Sequence, residues 1–349
     1  MAIDPAATDS PVAASPDLAP AGAGDRDVAP GTSPSRLALK RLRRNKTAIA
    51  FGILFLLLVA SCIAAPLWAD KVAKTTPEAN HLTDTIVIDG KRTNVVSVDG
   101  IPIGPTYEGQ FFLGADDNGR DVMVRLLYGG RNSLLIGIGA ALLTTLLSTV
   151  VGLVAGYFRG WTDGIITRVL DIIWAFPVVL LGVALGVALA TGGLHIGPVS
   201  IENNSIWIPT LIIGAVNTVY LARPIRGQVL SLREREFVEA ARAQGAGNLR
   251  IMFGELLPNL LSTVLVFFPI LLANAVLLEA ALSFLGAGVQ PPNPSWGTMI
   301  SDGLRFIVSA PLLTIAPGLM LVLTVLSLNI FGEGVRDALD PRARVRLER

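Results

Sequence analysis

Six apolar runs, each about as long as a bilayer crossing, limit what this chain can become. The first, residues 47–68, carries no charge between Lys46 and Asp70. A helical span needs roughly 20 residues at 1.5 Å per residue. In hydrocarbon each backbone N–H and C=O must be satisfied inside the segment, so such runs become helices. The other five lie at about 132–156, 165–190, 206–222, 260–284 and 311–331. Only 16% of the 349 residues are charged and mean hydropathy is +0.59, whereas soluble domains carry roughly 25% charged residues. The expected fold class is therefore an all-α membrane protein with six transmembrane helices.

Charge sets the orientation. Residues 1–33, rich in Ala, Pro, Asp, Ser and Gly, cannot bury enough surface to order themselves and read as a disordered tail. No basic-then-apolar pattern starts at Met1, so this is not a secretory signal. Arg36, Lys40, Arg41, Arg43, Arg44 and Lys46 then abut the first run, so residues 34–68 read as a basic segment and a helix that starts in the cytoplasm. Six spans return the C-terminus to that side. Arg159, Arg168, Arg223, Arg226, Arg233, Arg235, Arg242 and Arg250 fall in short inside segments, and Arg336, Arg342, Arg344, Arg346 and Arg349 in the tail at 336–349. The outside loops at about 191–205 and 285–310 hold only Arg305. Both termini are expected in the cytoplasm of a bacterial plasma (inner) membrane.

The segment 69–131 is then an extracytoplasmic insertion. Within it TIVIDGKRTNVVSVDG alternates apolar and polar residues around Asp-Gly pairs and predicts a small β-hairpin. Asn118 is placed to cap a helix starting at Gly119, which lies along the outer membrane surface or is an ordinary amphipathic helix of the insertion. A five-helix core follows at 132–335 and contains a polar cytoplasmic loop at 223–259.

That loop carries the most specific pattern, EFVEAARAQGAGNLRIMFGELLPN from Glu236 to Asn259. It reads as a short helix, a break at Gly245 and Gly247, a second short helix, and a stop at Leu257-Pro258. Small Ala240 and Ala241 let another surface approach closely, and Glu239 offers that surface a charge. Taken alone, a solvated loop also fits. Further distinctive stretches are FLGADDNGRDVMVRLLYGGRNSL (112–134), GYFRGWTDGIITRVLDIIWAFP (156–177), RPIRGQVLSLREREFVEAAR (223–242), LEAALSFLGAGVQPPNPSWGTMI (278–300) and NIFGEGVRDALDP (329–341).

Together these resemble the peptide/nickel family of ABC-importer permeases, the oligopeptide and dipeptide permease C type, over about 36–341. The loop resembles that family's EAA loop. The resemblance implies a type I ABC importer permease fold and a heterodimer with a second permease subunit. It also implies two ATPase subunits and an extracytoplasmic substrate-binding protein. Glu239, Ala240, Ala241, Gly245, Leu257 and Pro258 would form the ATPase-coupling element, with Glu239 meeting a basic residue there. Two departures are visible. Glu255 stands where an aliphatic residue is common, and Gly254-Glu255 replaces a basic-plus-His pair.

Polar residues inside spans are costly and face protein or water. Arg168 and Asp171, three apart, are expected to form a structural ion pair. Asn274 and Glu279 are either helix–helix hydrogen-bond partners or candidate pathway or gate residues. Pro177, Pro269 and Pro317 permit bends, in a static bundle or an alternating-access one. The loop QPPNPSWG (290–297) seats a binding protein or caps the bundle, with Trp296 suited to the interface. Cys62, in an apolar run, reads as a small packing residue, and His81 and His195 are too isolated to hold a metal. Gly90-Lys91 is followed by Arg92, not Ser or Thr, so no phosphate-cradling loop is present. No cofactor is expected in this chain, ATP and Mg being bound by the partners, and no nucleic-acid partner, only membrane lipids. The reading is a non-catalytic permease for di- or oligopeptides. The same family importing nickel or another small solute, a passive channel and a membrane docking protein are the alternatives.

Overall fold

The computed structural model describes residues 34–88 and 90–339; the tail at 1–33 and Arg342, Arg344, Arg346 and Arg349 lie outside the described residues. The chain begins with α1 (Pro34–Arg44), α2 (Lys46–Ile63) and α3 (Ala65–Trp68), then a π-helical turn at Ala69–Ala73. The insertion follows, with β1 (Thr85–Ile88) paired antiparallel to β2 (Lys91–Asn94). Next come α4 (Val122–Phe158), α5 (Gly160–Ala175) and α6 (Val178–Ala190), and a second hairpin of β3 (Leu194–Ile196) and β4 (Val199–Ile201). The remainder is α7 (Trp207–Leu232), α8 (Glu236–Ala243), α9 (Asn248–Arg250), α10 (Leu257–Phe284), α11 (Trp296–Gly303) and α12 (Leu312–Leu339).

Among the described residues, five helical stretches are long and apolar enough to cross a membrane, and α5 with α6 makes a sixth if that bent pair is one span. The pair bends by 89°. Pro177 is the cause: its ring forces Phe176 to extended backbone, φ −94° and ψ 138°, which ends α5. Pro269 and Pro317 sit inside unbroken α10 and α12.

Two local expectations are corrected, and one loop gains detail. The amphipathic segment near 119–134 is not a separate surface helix; it is the first third of the 37-residue α4. Its cap is Asp121, whose carboxylate accepts from the Val124 N–H at 3.0 Å and the Phe111 N–H at 2.6 Å. Asn118 instead donates its N–H to Asp116 within a tight turn completed by Gly119 at φ +72°. The loop at 191–205 contains the β3–β4 hairpin.

The bundle is built around the contact of α4 with α7. Gly152 sits so close to α7 that an added Cβ would lie 2.7 Å from the Ala222 carbonyl oxygen. Beside it Thr144 and Ser148 donate hydroxyls to the Gly214 and Thr218 carbonyls at 3.1 and 2.8 Å. Small residues allow this approach, and the hydroxyls then bond across it. At the other end of α4, Gly130 leaves room for Cys62 and Trp296; Cys62 is buried and free, a packing residue. The insertion has its own small core of Val95, Val96, Ile103, Phe111 and Ala115.

Gly152→Val is therefore expected to destabilise the bundle by about 1–3 kcal/mol, as overpacking does. Gly254→Ala, whose Cβ would meet nothing within 4 Å, is the matched control and should be neutral. Thermal unfolding of the purified proteins in detergent separates the two.

Candidate functional site

The polar loop between α7 and α10 is a rigid, outward-facing element. Glu236 and Glu239 occupy the first turn of α8, where carboxylates suit the helix dipole, and Arg242 the last. Val238 is fully buried in one apolar cluster with Ile251, Met252 and Leu256, and Ala241 and Ala246 pack at its edge. The opposite face carries Glu239 and Ala240, both exposed. Glu239 makes no ion pair among the described residues.

Gly245 ends the helix. Its φ of +80° is the left-handed region, and the Gly245 and Ala246 N–H groups donate to the Arg242 and Ala241 carbonyls at 2.9 and 3.0 Å. That is the Schellman arrangement, which satisfies carbonyls a helix end otherwise leaves open. The expected stop at Leu257-Pro258 does not occur. Helix runs on from Asn248 to Phe284. Pro258 has no N–H to give back along the helix. Just before it, Ile251–Leu256 widens into a π-helical turn, in which the Leu257 N–H reaches the Met252 carbonyl. The Asn259 side chain then donates to the Glu255 carbonyl at 2.7 Å.

Tyr157, in the last turn of α4, ties this loop down, and sequence reasoning did not single it out. Its hydroxyl donates to Asn248 Oδ1 at 2.8 Å. The guanidinium groups of Arg233 and Arg242 each lie 5.9 Å from its ring centroid, and Arg233 also donates to its carbonyl. Burial first, then the neighbouring charges of Arg159 and Arg242, lower the pKa of Arg233 from arginine's ordinary value. Arg159 pairs with Glu234 alongside. The aromatic side chain at the start of GYFRG, beside three loop arginines, was the available signal.

Further along α5 and α7, Arg226 donates to Asp163 at 2.6 Å and Arg223 to Asp171 at 2.8 Å, with Arg223 stacked 4.8 Å from the Trp174 ring. The Arg168–Asp171 pair is thus corrected: Asp171 belongs to Arg223. The α5 face that holds Leu170 packs on Val219 and Ala222 of α7, which aims both aspartates at the arginines of α7. Arg168 is exposed on another face, beside Trp161, Ile165 and Val169.

Asn274 and Glu279 do not form one site. Asn274 is exposed in a groove of about 490 Å³ with Asn217, Tyr220 and Val178. Glu279 is fully buried. One carboxyl oxygen accepts from Ser283 at 2.7 Å, the other has no hydrogen-bond partner among the described residues, and Ser133 and Ser295 lie beside the group. Ser283 also accepts the Val289 N–H at 3.0 Å, linking Glu279 to the proline-stiffened loop. Trp296 is not interfacial: it is fully buried and donates its indole N–H to the Leu126 carbonyl at 3.2 Å. The loop 290–297 therefore packs down as a cap on this end of the bundle.

Beside that cap lies a charged cavity of about 360 Å³ with Asp117, Arg120, Arg125, Asp302 and Arg305 among its lining residues. Asp116 pairs with Arg120 at 2.7 Å and Arg125 at 3.3 Å, and Asp117 with Arg305 at 3.2 Å. Burial and then the Asp117 charge raise the pKa of Asp302 above the ordinary aspartate value.

A close-packed bundle of apolar helices, with a charged, exposed short helix at one end and a capped, charged cavity near the insertion, is consistent with a membrane permease. The chain belongs to the family of binding-protein-dependent transport system inner membrane components, whose sequence model matches residues 148–345. A second match, to the N-terminal TM domain of oligopeptide transport permease C, covers residues 33–84. Among curated relatives, the dipeptide transport system permease protein DppC of Alkalihalophilus pseudofirmus is 38% identical over 89% of this chain and 91% of its own length. The glutathione transport system permease protein GsiD of Pectobacterium atrosepticum is 34% identical, covering 89% and 92%. The oligopeptide transport system permease protein OppC of Bacillus subtilis is 34% identical, covering 93% and 96%. A solved inward-facing MetNI methionine ABC transporter aligns over 62% of this chain and 97% of that chain, at TM-score 0.49 and 20% identity.

Two outcomes follow from this geometry. Tyr157→Phe removes one hydrogen bond, about 1 kcal/mol, and keeps the ring. Amides of 236–248 should then exchange hydrogen roughly fivefold faster, and faster still in Tyr157→Ala, while those of the α4–α7 seam stay unchanged. For Asp302 a raised pKa means its charged form costs stability above that pKa. Asp302→Asn should raise the unfolding temperature at neutral pH, with the gain fading as pH falls toward the ordinary aspartate value of about 3.9.

Proposed function

We propose that this chain is the membrane-spanning permease subunit of an ATP-driven importer of di- or oligopeptides, working as a heterodimer with a second permease subunit. The observation that carries the reading is α8: a short helix fixed from behind by Val238, Gly245 and Tyr157, with Glu239 and Ala240 free on its outer face. That face is suited to a cleft in a partner ATPase, with Ala240 allowing close approach and Glu239 setting register against a basic residue. An exposed charge of this kind is worth about 0–1 kcal/mol, so its role is orientation more than affinity. Gly245, Leu257 and Pro258 serve the same element, as turn and as junction with α10.

In this reading both termini and α8 lie in the cytoplasm of a bacterial inner membrane, and the insertion meets an extracytoplasmic substrate-binding protein. ATP and Mg belong to two ATPase partners, and this chain is not catalytic. Closure of the ATPases would displace α8. Tyr157 and the helix from Asn248 to Phe284 would carry that displacement into α4 and α10. Asn274, in the open groove, is the polar residue placed to meet cargo or the second subunit. Glu279 acts through the cap instead. The peptide cargo is supported by the dipeptide, glutathione and oligopeptide permeases among the relatives.

The test is co-purification of tagged chain with its ATPase subunits, followed by ATPase and peptide-uptake assays on unaltered and Glu239→Arg protein. Retained ATPases with uptake lost in the variant is the expected result. A chain that purifies without ATPases, or takes up peptides equally well with Glu239→Arg, would contradict the proposal.

A further inference from the structure

We infer that α1 and the start of α2 form a binding surface selective for anionic phospholipid headgroups. Between Asp27 and Asp70 the chain has no acidic residue, while Lys40, Arg41, Arg43, Arg44 and Lys46 crowd into seven positions. In the structure Lys40, Arg43, Arg44 and Lys46 are all exposed. No side chain of these four forms an ion pair among the described residues.

Their depth is fixed by the helix that follows. α2, Lys46–Ile63, spans roughly 27 Å at 1.5 Å per residue, close to the hydrocarbon thickness of about 30 Å. Lys46 must therefore sit at the headgroup level, with Arg43 and Arg44 one turn away. The junction is held in place. Asn45 caps α2 by accepting the Ala48 N–H at 3.0 Å, and Ala48 is buried against Gly334 of α12, where an added Cβ would come within 2.2 Å. Leu39, 52% exposed on α1, gives the same surface an apolar contact for acyl chains. Four cations with no acidic partner among the described residues, beside an exposed leucine and held at headgroup depth, fit a phosphate-bearing lipid of net negative charge. Basic residues near such a surface contribute about 1 kcal/mol each, or roughly fivefold per residue.

The test places a fluorophore on Leu39→Cys in the full chain, the buried Cys62 remaining unlabelled, in vesicles of phosphatidylcholine and phosphatidylglycerol. Brominated phosphatidylglycerol should quench the label at a several-fold lower mole fraction than brominated phosphatidylcholine. That preference should vanish in the Lys40→Gln, Arg43→Gln, Arg44→Gln triple variant and weaken in high salt. Equal quenching by both lipids in the protein with its basic residues intact would overturn the inference. So would full loss of selectivity on adding millimolar inorganic phosphate, which would assign the surface to a soluble anion. A label shielded only when other protein subunits are bound, with no lipid preference, would assign it to an acidic protein face and equally contradict it.

Discussion

Thr144 and Ser148 stand one turn apart on α4 and donate to carbonyls one turn apart on α7, at 3.1 and 2.8 Å. These bonds need the two backbones almost in contact, and Gly152 and Gly156 provide that clearance. In a lipid environment the tails are as apolar as the side chains, so close packing and such hydroxyl bridges hold helices together where water would otherwise drive them. The neighbouring helices are arranged on this seam. α10 reaches α4 at Gly137, where an added Cβ would be 2.4 Å from Val276, and α5 lies on α7 through Leu170, Val219 and Ala222.

The same seam ends at Tyr157. One helix thus carries the most extensive contact in the bundle and the residue that fixes the exposed loop. α8 is held on three sides: by its buried Val238, by the Schellman turn at Gly245, and by Tyr157 between Arg233, Arg242 and Asn248. The loop also passes into α10 without a break, because the π-helical turn absorbs Pro258. A load applied to α8 in the proposed importer therefore has two stiff routes into the membrane helices. Among the described residues, the 89° bend between α5 and α6 is the one sharp break in the apolar helices.

The long apolar runs were legible because lipid imposes one length and one form on them, and β1–β2 because Asp89-Gly90 sits between alternating residues. The misses have local causes. Asn118 and Asp121 are both good cap residues; only the fold, which brings the Phe111 N–H to Asp121, selects between them. Arg168 and Asp171 are neighbours on a helix, but the face that α5 turns to α7 gives Asp171 a better partner in Arg223. Pro258 reads as a stop until the preceding turn is seen to widen around it. Glu279 and Asn274, five apart, point to different sides of α10, one sealed under the cap and one open to a groove. Tyr157 lies in the distinctive GYFRG stretch, but its role arises from residues more than seventy positions away.

The claim on which the account rests is that α8 and α4 move as one piece. Spin labels at Ala243→Cys, on the exposed end of α8, and at Val150→Cys, exposed on α4, would report their separation in the assembled importer. Pulsed measurements without nucleotide and with ATP bound should give one narrow distance distribution, unchanged between the two states. A shift of several ångströms, or a second population on ATP binding, would show that the loop moves independently of the bundle and would contradict the account.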